Sequence, residues 1–370
     1  MGNTIDTSKI SKLGFGYMRL PRIDGVHDYE QIKKMADAFI SSGGNYFDAA
    51  YVYDNAEIAL HETVVKRYPR ESFYIATKLP INQVSAEKPK EHFIETSLER
   101  LGTDYIDFYM LHGISSAQSK TAEELGLWDF FSDLKSKGII RNMGFSFHST
   151  PEDLDEILTK HPETDFVMIQ VNYWDWDRPR VQARRLHEVL KKHNKPTVGM
   201  EPLFGGKLAS PDSPITEVLK SANPGVSNAS WALRYVAQLD GVFNTLSGMS
   251  TFEQMEDNIK TFADLKPLSN EEMAVIEKAV AILDGVPCIE CTSCNYCKDC
   301  PANINIPLII NLYNDHLIHK TLTNLAGSYG WMTGGRGKAK DCTSCGVCEA
   351  ECPQKLEIID TIAKVSEIFD

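Results

Sequence analysis

The first 287 residues of this 370-residue chain contain no cysteine, although the chain has nine. A disulfide framework would spread its cysteines through a short secreted chain, so this distribution excludes one. All nine lie between Cys288 and Cys352, most of them in CxxC spacing. Thiols that are confined to one end with this spacing indicate a metal or iron–sulfur site.

The chain also has no excess of positive charge and no long apolar run. Its 38 Lys and Arg stand against 51 Asp and Glu, which gives a net charge of −13. Nucleic acids and anionic membranes are polyanions, so this charge argues against both as partners. No apolar run is long enough to span a bilayer, and the N-terminal sequence has no apolar signal core. We therefore expect a cytoplasmic protein.

A third absence bears on the fold. Eight short apolar runs alternate with segments of helical periodicity, which suits either a doubly wound sheet or a barrel. A doubly wound dinucleotide-binding sheet normally has a GxGxxG turn after its first strand, and the chain has none. The pattern therefore predicts an α/β fold, a (β/α)8 TIM barrel over residues 1–284. The Cys-rich composition of residues 285–370 predicts a second, small helical ferredoxin-like iron–sulfur domain.

The cysteines form two motifs that each end in Cys-Pro. The second motif is the complete C-x₂-C-x₂-C-x₃-C-P run of two-cluster bacterial ferredoxins, in which the fourth cysteine binds the other cluster. The first motif has one extra cysteine and a shorter last step. Exchange of the fourth ligands predicts one [4Fe–4S] cluster on Cys291, Cys294, Cys297 and Cys352, and another on Cys300, Cys342, Cys345 and Cys348.

Two alternatives to this assignment stay open. One uses Cys288 as a ligand and omits Cys297. The other is zinc, because paired CxxC motifs also form zinc ribbons. Zinc sites use pairs of cysteines, however, and not runs of four that end in Cys-Pro.

Four polar side chains follow the ends of consecutive predicted strands, where barrel enzymes place their active sites: Asp48, Tyr53, Lys78 and His112. A phenol with an ordinary pKa of about 10 can donate a proton to a developing alkoxide, and a neighbouring ammonium lowers that pKa. Asp48 would orient the ammonium of Lys78, and His112 would hydrogen-bond the substrate carbonyl. The structural alternative is a buried Asp48–Lys78 ion pair with Tyr53 as packing.

The order and spacing of FDAAYVY, TK and LH resemble the catalytic tetrad of the aldo-keto reductases, and similar stretches extend over about residues 8–280. The resemblance implies an NAD(P)-dependent enzyme that interconverts a small carbonyl and an alcohol. Glycine-rich backbone with a lysine after strand seven also suits an anion. The resemblance implies that the nicotinamide cofactor hydrogen-bonds to Ser146 and Gln170. It places the pyrophosphate at Leu203, Gly205, Gly206 and Lys207, and the adenosine half at Gly248, Ser250, Thr251, Gln254 and Asn258. Further implied cofactor contacts are Gly16, Tyr17, Met18 and Met200.

Several positions depart from the family pattern. Phe147 replaces a common asparagine, and Met200 replaces the tyrosine that usually stacks on nicotinamide. Gly248 and Gln254 stand where basic residues often hold the 2′-phosphate of NADPH, so we expect weak discrimination against NADH or a preference for it.

Three functional hypotheses follow. The first is a carbonyl reductase or alcohol dehydrogenase whose two clusters are structural or regulatory. The second is an electron-transfer enzyme whose clusters link a flavin or nucleotide in the barrel to a ferredoxin-like partner, because a cluster accepts one electron and a hydride carries two. The third is a non-enzymatic electron carrier, and the intact tetrad argues against it.

Overall fold

The computed structural model describes residues 5–179, 181–210, 213–285, 288–319 and 325–370. It divides into two compact units. The first comprises the chain up to Leu203 together with Leu219–Ile276, and the second comprises Phe204–Val218 and Glu277–Asp370. The loop after the seventh strand, Phe204–Val218, packs with the C-terminal residues and therefore belongs to the second unit. The domain boundary expected at residues 284 and 285 stays a prediction.

Eight parallel strands close a barrel in the first unit, which confirms the predicted fold class. They pair in chain order, and the eighth pairs with the first. A hairpin of Arg22–Ile23 and Val26–His27 follows the first strand. The barrel strands are β1 (Leu13–Gly16), β2 (Tyr46–Asp48), β3 (Tyr74–Pro80), β4 (Ile106–Ile114), β5 (Ile140–Phe147), β6 (Phe166–Gln170), β7 (Thr197–Met200) and β8 (Val242–Ser247).

The helices of this part of the chain lie between these strands and after β8, and two of them, Thr216–Ala222 and Asn270–Asp284, cross the boundary between the units. Their starts follow local sequence signals: the Thr150 hydroxyl accepts a hydrogen bond from the Asp153 N–H, and Pro151 occupies the first helical position after it. The helices are α1 (Tyr29–Ser41), α2 (Ala56–Leu60), α3 (Lys90–Leu101), α4 (Ser116–Glu124), α5 (Leu127–Ser136), α6 (Pro151–Lys160), α7 (Ala183–Lys192), α8 (Thr216–Ala222), α9 (Asn228–Ala237), α10 (Phe252–Ala263) and α11 (Asn270–Asp284).

Aromatic side chains fill one end of the barrel interior. Tyr46, Phe108, Phe166 and Phe243 are buried and lie at or near the starts of their strands. The Phe108 ring lies 5.1 Å from the Phe166 ring and 5.9 Å from the Phe243 ring, between ring centroids. Because this packing closes the N-terminal end, the polar residues at the strand C-termini surround the opposite end.

The second unit is helical, as its sequence predicted. A core of aliphatic residues such as Ile310 and Ile362 joins α12 to α15, and several cysteines pack against it. The helices are α12 (Ile306–His319), α13 (Leu325–Met332), α14 (Val347–Ala350) and α15 (Ile358–Phe369). No helix in the described part of the chain is long and apolar enough to cross a membrane.

Candidate functional site

The strand register gathers the predicted catalytic residues at the C-terminal end of the barrel. Asp48 ends β2 and pairs in register with Ala76 of β3, two residues before Lys78. His112 pairs with Pro80 of the same strand. Three adjacent strands therefore bring Asp48, Lys78 and His112 together, as the sequence predicted.

Lys78 and Asp48 form a buried ion pair. The Lys78 Nζ donates to Asp48 Oδ1 at 2.6 Å and to the Ala49 carbonyl at 2.7 Å. Burial lowers the pKa of Lys78 and raises the pKa of Asp48, while the attraction within the pair opposes both shifts. The two oxygen contacts fix the direction of the ammonium, so its position is set by the fold.

Tyr53 lies beside this ammonium. Its ring centroid is 5.0 Å from Lys78 Nζ, and 5.7 Å from the centroid of the His112 ring, which it meets edge to face. A positive charge so close stabilises negative charge on the phenol. The tetrad thus combines a phenol, a cation that favours its ionisation and an imidazole.

His112 is held in its neutral form. Burial lowers its pKa well below the ordinary value, and the charges of Lys78 and His148 lower it further. A neutral imidazole carries one ring N–H and can donate a hydrogen bond without a formal charge. This state suits a group that hydrogen-bonds a substrate carbonyl.

Two of the residues implied for nicotinamide lie on neighbouring strands. The buried Ser146 of β5 accepts a hydrogen bond from the Gly113 N–H at 2.8 Å, so its hydroxyl hydrogen can be directed toward another acceptor. Gln170 ends β6, and its Nε2 donates to Asp175 Oδ2 at 2.8 Å. The amide oxygen is therefore turned away from Asp175. A hydroxyl donor and an amide acceptor complement a carboxamide.

Asp175 is a site residue that was not predicted from the sequence. Its carboxylate is fully buried, and Oδ2 accepts hydrogen bonds from both Gln170 and Asn172, the latter at 2.7 Å. Asn172 in turn accepts from the backbone N–H groups of Trp174 and Asp175. This network fixes which end of the Gln170 amide faces the barrel mouth. The acidic residues of YWDWD were the available signal.

The residues implied for the adenosine half lie at the start of α10 and bond to one another. The Thr251 hydroxyl accepts from the Gln254 N–H at 3.3 Å, and Gln254 Oε1 accepts from the Ser250 N–H at 2.8 Å. The buried Asn258 donates to the Ser247 hydroxyl. These contacts make a rigid helix start, and the role of its residues toward a nucleotide stays a prediction.

A second missed residue is Arg19, whose backbone and side-chain stem contact this region. Its carbonyl accepts from the Ser250 hydroxyl at 2.7 Å, and a side chain at Gly248 would meet the Arg19 side chain at 3.5 Å. The guanidinium lies 3.5 Å from Glu201. The aliphatic stem of Arg19 therefore packs beside Gly248, while its charge is paired with the Glu201 carboxylate.

The remaining implied contacts divide into groups. Gly16 ends β1 in register with Asp48, next to the tetrad, and is followed by Met18 in the same loop. The Tyr17 side chain is buried with its hydroxyl bonded to Thr63, so only its backbone is available to a cofactor. Met200 packs against the aromatic interior of the barrel. Leu203 is the last residue of the first unit before the loop that follows β7. Gly205, Gly206 and Lys207 belong to the second unit.

Four cysteines of the second unit line one cavity. They are Cys291, Cys294, Cys297 and Cys352, and apolar side chains such as Ile306 and Ile310 complete the wall. Burial raises the pKa of Cys297 to about 12, and the thiols of Cys294, Cys291 and Cys352 add to the shift. Four thiolates cannot share this space without cations, so the donor set fits an iron–sulfur cluster. Cys288 is not part of this lining in the described chain.

The other four predicted ligands are less enclosed. Cys300, Cys342 and Cys348 are partly buried against the helical core, and Cys345 is exposed. Burial raises the pKa of Cys348 to about 11, with contributions from Glu349 and Cys342. All nine cysteines are free of disulfides. Within the described residues, no three or more Cys, His, Asp or Glu side chains are close enough together to hold a single metal ion.

Two family models match this chain. Residues 12–281 match the aldo/keto reductase family, and residues 290–357 match a 4Fe–4S dicluster domain. The chain therefore belongs to the aldo/keto reductase family, whose members are NAD(P)-dependent oxidoreductases that act on small carbonyl compounds, and it carries an added iron–sulfur domain. The predicted family and enzyme class are confirmed.

Individual relatives cover the barrel. An aldo-keto reductase of Mycobacterium avium is 28% identical over 273 residues, which are 74% of this chain and 87% of that protein. An aldo-keto reductase structure from Bacillus halodurans, in its holo form, has a TM-score of 0.60 at 25% identity and covers 73% of this chain and 92% of its own. A Klebsiella pneumoniae structure in complex with NADPH has a TM-score of 0.60 at 21% identity, with 73% and 90% covered.

Proposed function

We propose that this protein reduces a small aldehyde or ketone with a nicotinamide nucleotide at Asp48, Tyr53, Lys78 and His112. The observation that carries the proposal is the Lys78 ammonium, which is buried, bonded to Asp48 at 2.6 Å and placed 5.0 Å from the Tyr53 ring centre. The nucleotide supplies a hydride. The barrel's own residues must then stabilise and protonate the resulting alkoxide.

Each residue has a separate task in this reaction. The Tyr53 hydroxyl donates its proton to the developing alkoxide, and the Lys78 charge stabilises the phenolate that remains. Neutral His112 donates a hydrogen bond to the carbonyl oxygen and so orients it. Asp48 holds Lys78 in place and is distant from the reacting atoms in this scheme. In the reverse direction the same groups would remove a proton from an alcohol.

We propose that the cofactor is a nicotinamide nucleotide and not a flavin. Ser146 and Gln170 offer a donor and an acceptor to a carboxamide, and Asp175 holds the Gln170 amide in that orientation. The two Klebsiella pneumoniae reductases with this fold are described with NADPH and with NADP. The stem of Arg19 lies beside Gly248, but its guanidinium is paired with Glu201, so we expect weak discrimination between NADPH and NADH.

We further propose two [4Fe–4S] clusters in the second unit. The cavity lined by Cys291, Cys294, Cys297 and Cys352 supports the first cluster and favours the ligand set that includes Cys297 over the one that includes Cys288. Cys300, Cys342, Cys345 and Cys348 would hold the second. The clusters would accept and release single electrons.

A second candidate function is electron transfer to a ferredoxin-like partner through these clusters. The exposure of Cys345 favours it, because a ligand at the surface shortens the path to an external acceptor. This candidate requires a step that splits an electron pair, and the tetrad alone does not provide one.

Anaerobically purified protein distinguishes the two candidates. We expect NADPH oxidation that depends on a small aldehyde or ketone, and we expect Lys78→Met to abolish it. If no carbonyl supports turnover while NADPH reduces a ferredoxin in a cluster-dependent way, the second candidate replaces the first. Lys66→Met is the control, since Lys66 forms an exposed pair with Glu62.

A further inference from the structure

Lys207 is the lysine that the family resemblance implies for the nucleotide pyrophosphate, yet in the structure it contacts the cysteine-rich segment. Its Nζ donates to the Ile289 carbonyl at 3.1 Å. That carbonyl also accepts from the Cys291 N–H at 2.9 Å and from the Asn314 amide at 2.8 Å. The Lys207 ammonium and the backbone N–H of Cys291, a predicted cluster ligand, therefore donate to the same carbonyl oxygen.

The backbone before Lys207 packs against the same cysteine-rich segment, at Thr292. Gly205 has a φ of +64°, and a Cβ at this position would lie 2.6 Å from the Thr292 carbonyl oxygen and 2.9 Å from its Cα. Only glycine permits both this conformation and this approach. The contact fixes residues 204–207 against the stretch between Cys291 and Cys294, so the lysine is not a mobile surface charge.

Asn314 of α12 holds the other side of this arrangement. Its buried side chain accepts from the Ile289 N–H at 2.6 Å and donates to the Ile289 carbonyl. With Ile289 clamped in this way, movement of the Lys207 charge relative to Cys291 is restricted. A fixed positive charge stabilises the form of a nearby redox group that carries one more electron.

From this geometry we propose that Lys207 is a positioning residue of the first cluster, which it holds through Ile289 and whose reduced state its charge favours. The inference rests on the proposed assignment of that cluster to Cys291, Cys294, Cys297 and Cys352. It assigns Lys207 to electron chemistry in place of a primary role in nucleotide binding.

The test is a redox titration of the intact, anaerobically purified protein, followed by electron paramagnetic resonance. We expect Lys207→Gln to shift the equilibrium of the first cluster toward its oxidised form about tenfold, which is 59 mV for one electron. The second cluster, in the same molecule, should keep its potential. Lys207→Arg should retain most of the native value because it keeps the charge.

Lys364→Gln is the matched control, because it removes the same charge from an exposed position of the same unit. Unchanged potentials in Lys207→Gln overturn the inference, and so do weaker binding of NADPH with unchanged potentials or equal shifts of both clusters. Failure of the proposed clusters would be seen separately, as protein without iron in the unsubstituted chain.

Discussion

The two units hold their reactive groups in different ways. In the barrel unit, the Lys78 ammonium has two oxygen partners within 2.7 Å and lies in a fully buried setting. In the cysteine-rich unit, all nine thiols are unbonded to one another and only Cys291 is buried. The fold alone therefore organises the tetrad, whereas the cysteine side chains would need bound cations to offset repulsion among their thiolates.

This difference has a consequence for stability. The barrel buries aromatic and aliphatic residues over eight strands, while the second unit has a small core to which the cysteines contribute. Small domains commonly depend on bound metal for their folding energy, since their own apolar core is insufficient. Loss of the clusters should thus affect the second unit strongly and the tetrad weakly.

Substitution of a cluster ligand is expected to have the largest effect on this difference between the two units. We expect about eight irons per chain in the native protein and about four in Cys352→Ala, because Cys352 lines the cavity of the first cluster. Anaerobic iron and sulfide analysis measures the change. The barrel should keep its NADPH affinity.

Cys288→Ala is the control for that experiment, and we expect it to retain all the iron. If Cys288→Ala loses a cluster while Cys297→Ala does not, the alternative ligand set holds. Stoichiometric zinc without iron would remove the cluster proposal altogether.

The next test concerns the tetrad in the barrel, which the fold alone organises. Tyr53→Phe should lower the kcat of carbonyl reduction by about 10²–10⁴-fold, because it removes the proton donor and keeps the ring. NADPH binding, measured by fluorescence titration, should change little. Tyr51→Phe is a matched control two residues away, whose hydroxyl lies 3.4 Å from His92. An unchanged kcat in Tyr53→Phe would exclude Tyr53 from the mechanism.

The parts of the molecule that follow from periodicity and from the order of strands could be predicted from the sequence. Eight alternating strands and helices predicted the barrel, and the rule that active sites lie at strand C-termini brought Asp48, Lys78 and His112 together. The ferredoxin-type motif, with its fourth ligands exchanged, also predicted the four cysteines that line one cavity, although Cys288 in place of Cys297 was an open alternative.

The missed features depend on loop contacts, which have no period. Arg19 reaches Gly248 because β1 pairs with β8, and the two residues are far apart in the chain. Asp175 reaches Gln170 through an irregular turn. The association of residues 204–218 with the C-terminal unit likewise depends on tertiary packing, which the alternation of strands and helices does not encode.

A smaller effect is expected where the barrel orients its cofactor. Asp175→Asn should weaken NADPH binding about tenfold, because the carboxylate no longer fixes the Gln170 amide and a hydrogen bond to a charged group contributes about 1.5–3 kcal/mol. Asp177→Asn is the control, since this exposed carboxylate pairs with Arg184 at the surface. Equal NADPH affinity in both variants would show that Asp175 does not contribute to nucleotide binding.

The smallest effect concerns the pH dependence of barrel stability. Burial lowers the pKa of His112 well below its ordinary value near 6.5, so the unfolded chain binds the proton more readily than the folded one. Stability should be fully present above pH 6.5 and should fall as the pH decreases, by at most about 1.4 kcal/mol per pH unit from this residue.

Urea unfolding of the anaerobic protein between pH 5 and 7.5, followed separately for the barrel and for cluster absorbance, measures this dependence. His112→Gln should flatten the barrel's curve below pH 6.5, because it removes the group whose protonation favours unfolding. His92→Gln, on α3, serves as the control. The cluster signal should respond equally in all three proteins, since His112 lies in the barrel unit. A pH dependence that persists unchanged in His112→Gln would show that His112 does not lose its proton on folding, and its assignment as a neutral hydrogen-bond donor to the substrate carbonyl would fail with it.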